Sequence, residues 1–395
     1  MRRLFRWASA TLAGAALLAT TGTPALALPS PREEQWWFGA WQIHTKVWKI
    51  SQGQGVTVAL IDTGIQARVP DLRGVVLKGI HFGPQGGDGR TDGDPDGDGH
   101  GTGMAALIAA QGRGTGMLGV APKVRLLPVG ATGTDLERSL KYAADHGADV
   151  INISAGWDGI ECPEETQQMV AYAIRRGAVI VASASNKSDW GESTIYPASC
   201  AGVLAVGALR HDLQIWELST PGWYVSAAAP GMGVASIGLA GTFGGKGNGT
   251  SQAAALTSGA AALVRARYPE LSNRQVVQRL LYTTRDVGPK GWDKYTGYGA
   301  IIPYRALTEK VPANAPNPTF ARLDQWEAKQ KRQTGSSSPK AASGGKNPAG
   351  NAKGSSNSVL KLASLVAGIS IIIVFFGLLR RRFNIYIRYE NRGRG

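Results

Sequence analysis

The chain has 395 residues, 43% of them hydrophobic, with 53 Gly and only 2 Cys. That is too apolar for a chain disordered throughout, and too few cysteines for a disulfide-built scaffold or a multi-Cys zinc or iron–sulfur site. The net charge of +15 lies mostly at the ends, with +3 in residues 1–27, +5 in 313–360, +6 in 361–395 and +1 in 28–312, so the globular part lacks the basic excess that nucleic-acid binding needs.

In chain order, residues 1–27 read as a secretory signal peptide. Arg2, Arg3 and Arg6 precede an apolar run over Leu12–Ala19, and Ala25-Leu26-Ala27 closes it with small residues. The alternative is an uncleaved anchor, but the run is short for a span of about 20 residues. Trp36, Trp37, Trp41 and Trp48 follow, and this composition predicts packing onto the domain rather than removal.

Short β-branched runs then alternate with Ala-rich runs. Strands are expected over 56–61, 124–129, 149–153, 178–183 and 203–206, and helices over 102–110, 134–146, 164–176, 251–268 and 273–283. Near-continuously apolar strands separated by helices indicate an α/β domain over 28–312, with a mainly parallel sheet covered on both faces. Ligand sites in such sheets lie at the carboxyl ends of the strands.

Three segments carry chemistry. Val58-Ala-Leu-Ile-Asp62-Thr-Gly64 ends a buried strand with an acid, which is costly unless the carboxylate is paired or hydrogen-bonded. Gly99-His100-Gly-Thr102 opens a helix with a His. Gly247-Asn-Gly-Thr-Ser251 opens another with a Ser, where free N–H groups and the helix dipole favour negative charge. An acid, a His and a Ser at element ends are the parts of an oriented nucleophile.

Other motifs fail. Asp88, Asp92, Asp94, Asp96 and Asp98 tempt a calcium reading, but no EF-hand register places a Glu at its twelfth position. The bland reading is a flexible acidic loop beside His100, and no metal is expected. Phe243-Gly-Gly-Lys-Gly lacks the Ser or Thr of a phosphate loop. His44, His81, His146 and His211 have no ligand spacing and read as surface or loop residues. No cofactor is implied.

Cys162 and Cys200 are an even pair in an exported segment, which predicts one disulfide, with two free thiols as the alternative. Residues 313–358 read as a flexible linker, with a short charged helix over 322–332. Leu362–Leu379 then holds 18 uncharged residues, about 27 Å as a helix, so a transmembrane helix is expected over 359–380. A buried core helix is the alternative. Arg380, Arg381 and Arg382 place the basic tail, 381–395, in the cytoplasm. The layout is a single-pass cell-membrane protein with an extracytoplasmic domain.

The three motifs, in the order Asp, His, Ser, resemble those of the subtilisin-like serine peptidases: Ala-Leu-Ile-Asp62-Thr-Gly, Asp-Gly-His100-Gly-Thr and Gly-Thr-Ser251-x-Ala. Ala182-Ser-Ala-Ser-Asn186 falls where that family places its oxyanion Asn. The resemblance covers about 56–306. It implies a three-layer sandwich in which Ser251 attacks the scissile carbonyl, His100 moves the proton and Asp62 orients His100. It also implies that the Asn186 side chain and the Ser251 N–H bind the oxyanion, and that Ser154, Ala155 and Gly156 pair with the backbone of a protein or peptide substrate.

Several positions depart from the family pattern. Ala255 replaces a Pro, Ser185 a Gly before the oxyanion Asn, and Gly103, Met104 and Ala106 the usual His, aliphatic residue and Gly. Val69 stands where a His or Asn often occurs. None of these removes a chemical group from the mechanism. Between the expected cleavage point and the Asp62 strand there is no room for a folding pro-domain of the usual length.

The signal peptide, Arg-Glu-Glu-Gln-Trp-Trp, subtilase motifs, linker and C-terminal span together resemble the mycosins, membrane-anchored subtilases of type VII (ESX) secretion systems. This implies processing of a secreted substrate and association with membrane-embedded secretion components. Two readings remain: an active endopeptidase, or a mainly non-catalytic scaffold subunit.

Overall fold

The computed structural model describes residues 28–131, 134–159, 161–186 and 194–335. The expected signal peptide, the span at 359–380, the tail and the later part of the linker lie outside the described residues. Among the described residues, no helix is long and apolar enough to cross a membrane.

Helix α1 (Trp36–Ala40) opens the domain, followed by β1 (Thr57–Asp62), β2 (Ile80–His81), α2 (His100–Ala109), β3 (Arg125–Gly130), α3 (Leu136–Asp145), β4 (Val150–Ile153) and β5 (Trp157–Gly159). Next come α4 (Glu164–Arg175), β6 (Val179–Ser183), β7 (Thr194–Tyr196), β8 (Leu204–Leu209), β9 (Val225–Pro230), β10 (Met232–Ile237) and β11 (Phe243–Asn248). Helices α5 (Thr250–Arg267), α6 (Asn273–Tyr282), α7 (Pro303–Thr308) and α8 (Pro318–Gly335) complete it.

Seven strands form one sheet in the order β2-β3-β1-β4-β6-β8-β9, and every pair in it is parallel. Valine, isoleucine and alanine fill these strands, and β4, β6, β8 and β9 are buried along their whole length. Helices therefore cover both faces. Helix α2, between β2 and β3 in the chain, packs on β1 and β3, as does α3, between β3 and β4, while α4 packs on β6. Helix α5 packs on α2, and α3 packs on α4, which gives three layers. The strand order reverses beside β1, so the carboxyl ends of β1 and β4 flank the switch point where such sheets bind ligands.

Helix α5 runs through the interior, with Ala253–Val264 buried throughout. Its small residues make this passage feasible. A Cβ on Gly259 would lie 2.9 Å from Val120 Cβ, so only glycine permits the approach. The N-terminal segment packs as its tryptophans predict: Trp37, Trp41 and Trp48 are buried, and Trp48 Nε1 donates to the Val120 carbonyl at 2.9 Å. Gln35 pairs with both backbone groups of Leu118, at 2.7 and 3.1 Å.

Three expectations need correction. The linker does not begin at 313. Helix α8 covers 318–335, and its Phe320 and Leu323 join the core. The charged composition concealed two apolar residues three apart, enough to seat one helix face. His81 is not a surface or loop residue; it is buried in β2. The strand β9 and the β10–β11 hairpin were not legible, because Val225–Pro230 reads as Ala-rich and Phe243–Asn248 as a glycine loop, both poor in strand formers.

Cys162 and Cys200 form a disulfide, with Cα atoms 5.0 Å apart and a sequence separation of 38. The closed loop carries α4, β6 and Asn186. Replacing both cysteines by Ser should cost about 3–4 kcal/mol by loop entropy and lower the melting temperature by several degrees. Calorimetry of the oxidised protein and the double variant checks this; equal melting temperatures would contradict it.

Candidate active site

Asp62 is the last residue of β1, one step beyond the Ile61–Ile153 pair that joins β1 to β4. It is 7% exposed. Its Oδ1 accepts the Thr63 N–H at 2.8 Å and faces His100 Nδ1 at 2.8 Å. His100 is the first residue of α2, and its side chain is 38% exposed. Desolvation opposes the charged imidazolium, but the charge and hydrogen bond of Asp62 outweigh it, and Asp94 and Asp92 act in the same direction. The His100 pKa stands raised, at about 9.

Ser251 lies in the first turn of α5, the helix packed against α2. Its Oγ donates to the Ser154 carbonyl at 3.0 Å, and Ser154 Oγ donates to the Ser251 carbonyl at 3.2 Å. Ser154 follows β4 directly, so these two bonds tie the nucleophile to the strand end beside Asp62. Asn152 Nδ2 donates to Ser154 Oγ at 2.8 Å, and Ser258 Oγ donates to Asn152 Oδ1 at 2.8 Å, a buried chain that fixes the turn. Among the described residues, no hydrogen bond joins Ser251 to His100. Catalysis therefore needs Ser251 Oγ to exchange the Ser154 carbonyl for His100 Nε2, a tightening common on substrate binding.

Asn186 follows β6 and is exposed. Its Oδ1 accepts from Thr250 N–H at 3.0 Å and Thr250 Oγ1 at 3.1 Å. With its oxygen held there, Nδ2 lies beside the N-terminus of α5 and makes no hydrogen bond among the described residues. The preceding Ser185 has φ 79°, the left-handed region that costs a non-glycine residue about 1–2 kcal/mol. The family pattern has Gly there, and the geometry shows why. Ala155 and Gly156 extend from Ser154 outside any ladder, with Gly156 exposed.

The structure thus brings Asp62 to His100, Ser251 to Ser154, and Asn186 to the turn that bears Ser251. Thr250, Asn152 and Ser258 were missed as supporting residues. Only Thr250 had a signal, its place beside Ser251. Asn186→Leu should lower kcat on denatured casein by about 10²–10³-fold with little change in KM, because the donor acts on developing charge. A steady-state comparison checks this; a loss confined to KM would contradict it.

A parallel sheet with an oriented Asp–His pair at its switch point, a Ser at a helix N-terminus and a free amide donor defines a subtilisin-type arrangement. The chain belongs to the Subtilase family, whose profile matches residues 53–299. It is 36% identical over 270 residues to the thermophilic serine proteinase of Bacillus sp. (strain AK1), covering 66% of this chain and 64% of that protein. It is 33% identical over 330 residues to Mycosin-1 of Mycolicibacterium smegmatis, covering 67% of this chain and 70% of that protein. Among solved structures it is similar to MycP1 from the ESX-1 type VII secretion system, with TM-score 0.63 and 33% identity over 72% of this chain and 88% of that one. The chain spans less than two thirds of the Bacillus proteinase.

Proposed function

We propose that this protein is a serine endopeptidase, anchored in the cell membrane with its catalytic domain outside the cytoplasm, that processes a secreted substrate and supports a type VII secretion complex. The observation that carries the peptidase reading is the 2.8 Å pairing of His100 Nδ1 with Asp62 at the sheet's switch point, on a helix packed against the one whose first turn bears Ser251. The secretion role is supported by the likeness to Mycosin-1 and MycP1. Anchoring is supported by the uncharged run at 362–379 and the Arg triplet that follows it.

The chemistry follows from the groups in place. Ser251 Oγ attacks the scissile carbonyl carbon while His100 Nε2 takes its proton. Asp62 holds Nδ1–H and stabilises the imidazolium. The oxyanion is received by Asn186 Nδ2 and the Ser251 N–H. His100 then protonates the leaving amine, and water, deprotonated by His100, releases the acyl group.

The second reading, a mainly non-catalytic scaffold, is favoured by the resting bond from Ser251 Oγ to the Ser154 carbonyl, which withholds the nucleophile from His100. Substitution in the native host separates the two. Ser251→Ala should stop processing and leave the complex assembled, whereas deletion of 360–382 should disrupt assembly. Undiminished processing by Ser251→Ala would overturn the catalytic role. Intact assembly after the deletion would overturn the anchoring role.

A further inference from the structure

We propose that Asp92 and Asp94 are positioning residues that lock the helix carrying His100 onto the turn carrying Asp62. The inference rests on the reading of Asp62, His100 and Ser251 as a catalytic triad.

The acidic loop is held, not flexible, along this stretch. It runs back beside the Asp62 turn, where Ile65 N–H donates to the Gly89 carbonyl at 3.0 Å and Gly93 N–H to the Thr63 carbonyl at 2.7 Å. Gly64, at φ 108°, permits the approach; a Cβ there would lie 2.3 Å from the Thr91 carbonyl oxygen. Asp92 is 7% exposed. Its Oδ1 accepts from Thr63 Oγ1 at 2.6 Å. Its Oδ2 accepts from Thr102 N–H at 2.7 Å and Thr102 Oγ1 at 2.6 Å. One buried carboxylate therefore joins the residue after Asp62 to the residue two beyond His100.

Asp94 completes the join. Its Oδ2 accepts from Gly99 N–H at 2.8 Å and His100 N–H at 2.9 Å. Gly101 N–H donates to Thr63 Oγ1 at 3.0 Å. Gly99, the residue before α2, has no side chain to cap it. The first three N–H groups of the helix are thus satisfied from outside, by Asp94, Thr63 and Asp92. Both carboxylates also sit where the helix dipole favours negative charge. The negative charges of Asp62, Asp94 and Asp92 all favour the His100 imidazolium formed during attack, so the clamp acts on the ring's charge as well as its place. An Asp62–His100 bond of catalytic quality depends on the relative placement of these two backbone segments, and an error of 1 Å can cost about 10²-fold in rate.

The test uses the full chain, with Asp92→Asn, Asp94→Asn, Thr63→Val and Thr63→Ser. A fluorophosphonate probe reports kinact and KI, and ring-labelled histidine NMR reports the titration of His100. Asp92→Asn and Thr63→Val should each lower kinact by about 10–100-fold with KI little changed. Thr63→Ser keeps the hydroxyl and should restore the wild-type rate. The double variant Asp92→Asn/Thr63→Val should lose less than the product of the two single losses, since both break the Thr63–Asp92 bond. Asp94→Asn should lower the His100 titration midpoint by roughly one pH unit. If Asp92→Asn does not fold, the Thr63 pair carries the test. Wild-type kinact in folded Thr63→Val, or an unmoved midpoint in Asp94→Asn, overturns the proposal. The NMR titration needs no turnover. A wild type that shows the midpoint shift but never labels would overturn the triad reading and leave the clamp standing.

Discussion

Ser251→Ala is expected to lower the kcat for hydrolysis of denatured casein by about 10⁶-fold while leaving the domain folded. Loss of the nucleophile alone costs about this much in subtilisin, the type member of the family, and the residue of catalysis comes from the oxyanion site and from binding. The substitution removes one hydroxyl, which among the described residues bonds to the Ser154 carbonyl alone. The bond from Ser154 Oγ to the Ser251 backbone survives, as does the chain through Asn152 to Ser258. Unfolding by heat should therefore occur close to the wild-type temperature. Retention of more than about a hundredth of the wild-type rate would place the nucleophile elsewhere.

Asp62→Asn is expected to lower kcat by about 10⁴-fold and to move the pH profile. The amide matches the carboxylate in shape, but it no longer holds His100 with its proton on Nδ1. His100 must be neutral to accept the Ser251 proton, so activity is lost as pH falls below its pKa. In the wild type that pKa is raised to about 9, with Asp62 the largest influence in the raising direction. The acid limb of kcat/KM should therefore move to lower pH in Asp62→Asn as its height collapses. An unmoved limb would mean that another group sets it. The stability consequence has the opposite pH sense. A raised folded-state pKa stabilises the fold fully below the ordinary histidine value of 6.5, and this contribution is lost as pH rises through about 9.

The sheet and the Asp62–His100 pair were legible because each is written locally. Buried β-branched runs mark β1, β4 and β6, and glycine-flanked Asp62, His100 and Ser251 mark the element ends. Asn186 was legible only through resemblance to a family, since nothing in Ala-Ser-Asn names an oxyanion donor. Its orientation depends on Thr250, which is 64 residues away in sequence. The acidic loop was misread for a related reason. Five Asp residues look equivalent in sequence, yet Asp92 turns inward to Thr63 and Thr102 while Asp96 and Asp98 remain exposed. Which acid turns inward is decided by a tertiary approach at Gly64. A short charged helix over 322–332 was legible, but its charge hid the seat of α8 on the domain; Arg274 grips Asp324 and Arg175 meets Glu327 on its exposed side. Such exposed pairs add little stability, so the helix is seated mainly by Phe320 and Leu323.

The central claim is that Asp62, His100, Asn186 and Ser251 form a working acyl-transfer site. Labelling of the full chain by a fluorophosphonate, with Ser251→Ala alongside, tests it most directly. Covalent labelling of the wild type at Ser251, none in the variant, and a rate that rises with pH toward about 9 is the predicted result. A folded, monodisperse wild type that takes up no label across that pH range would contradict it.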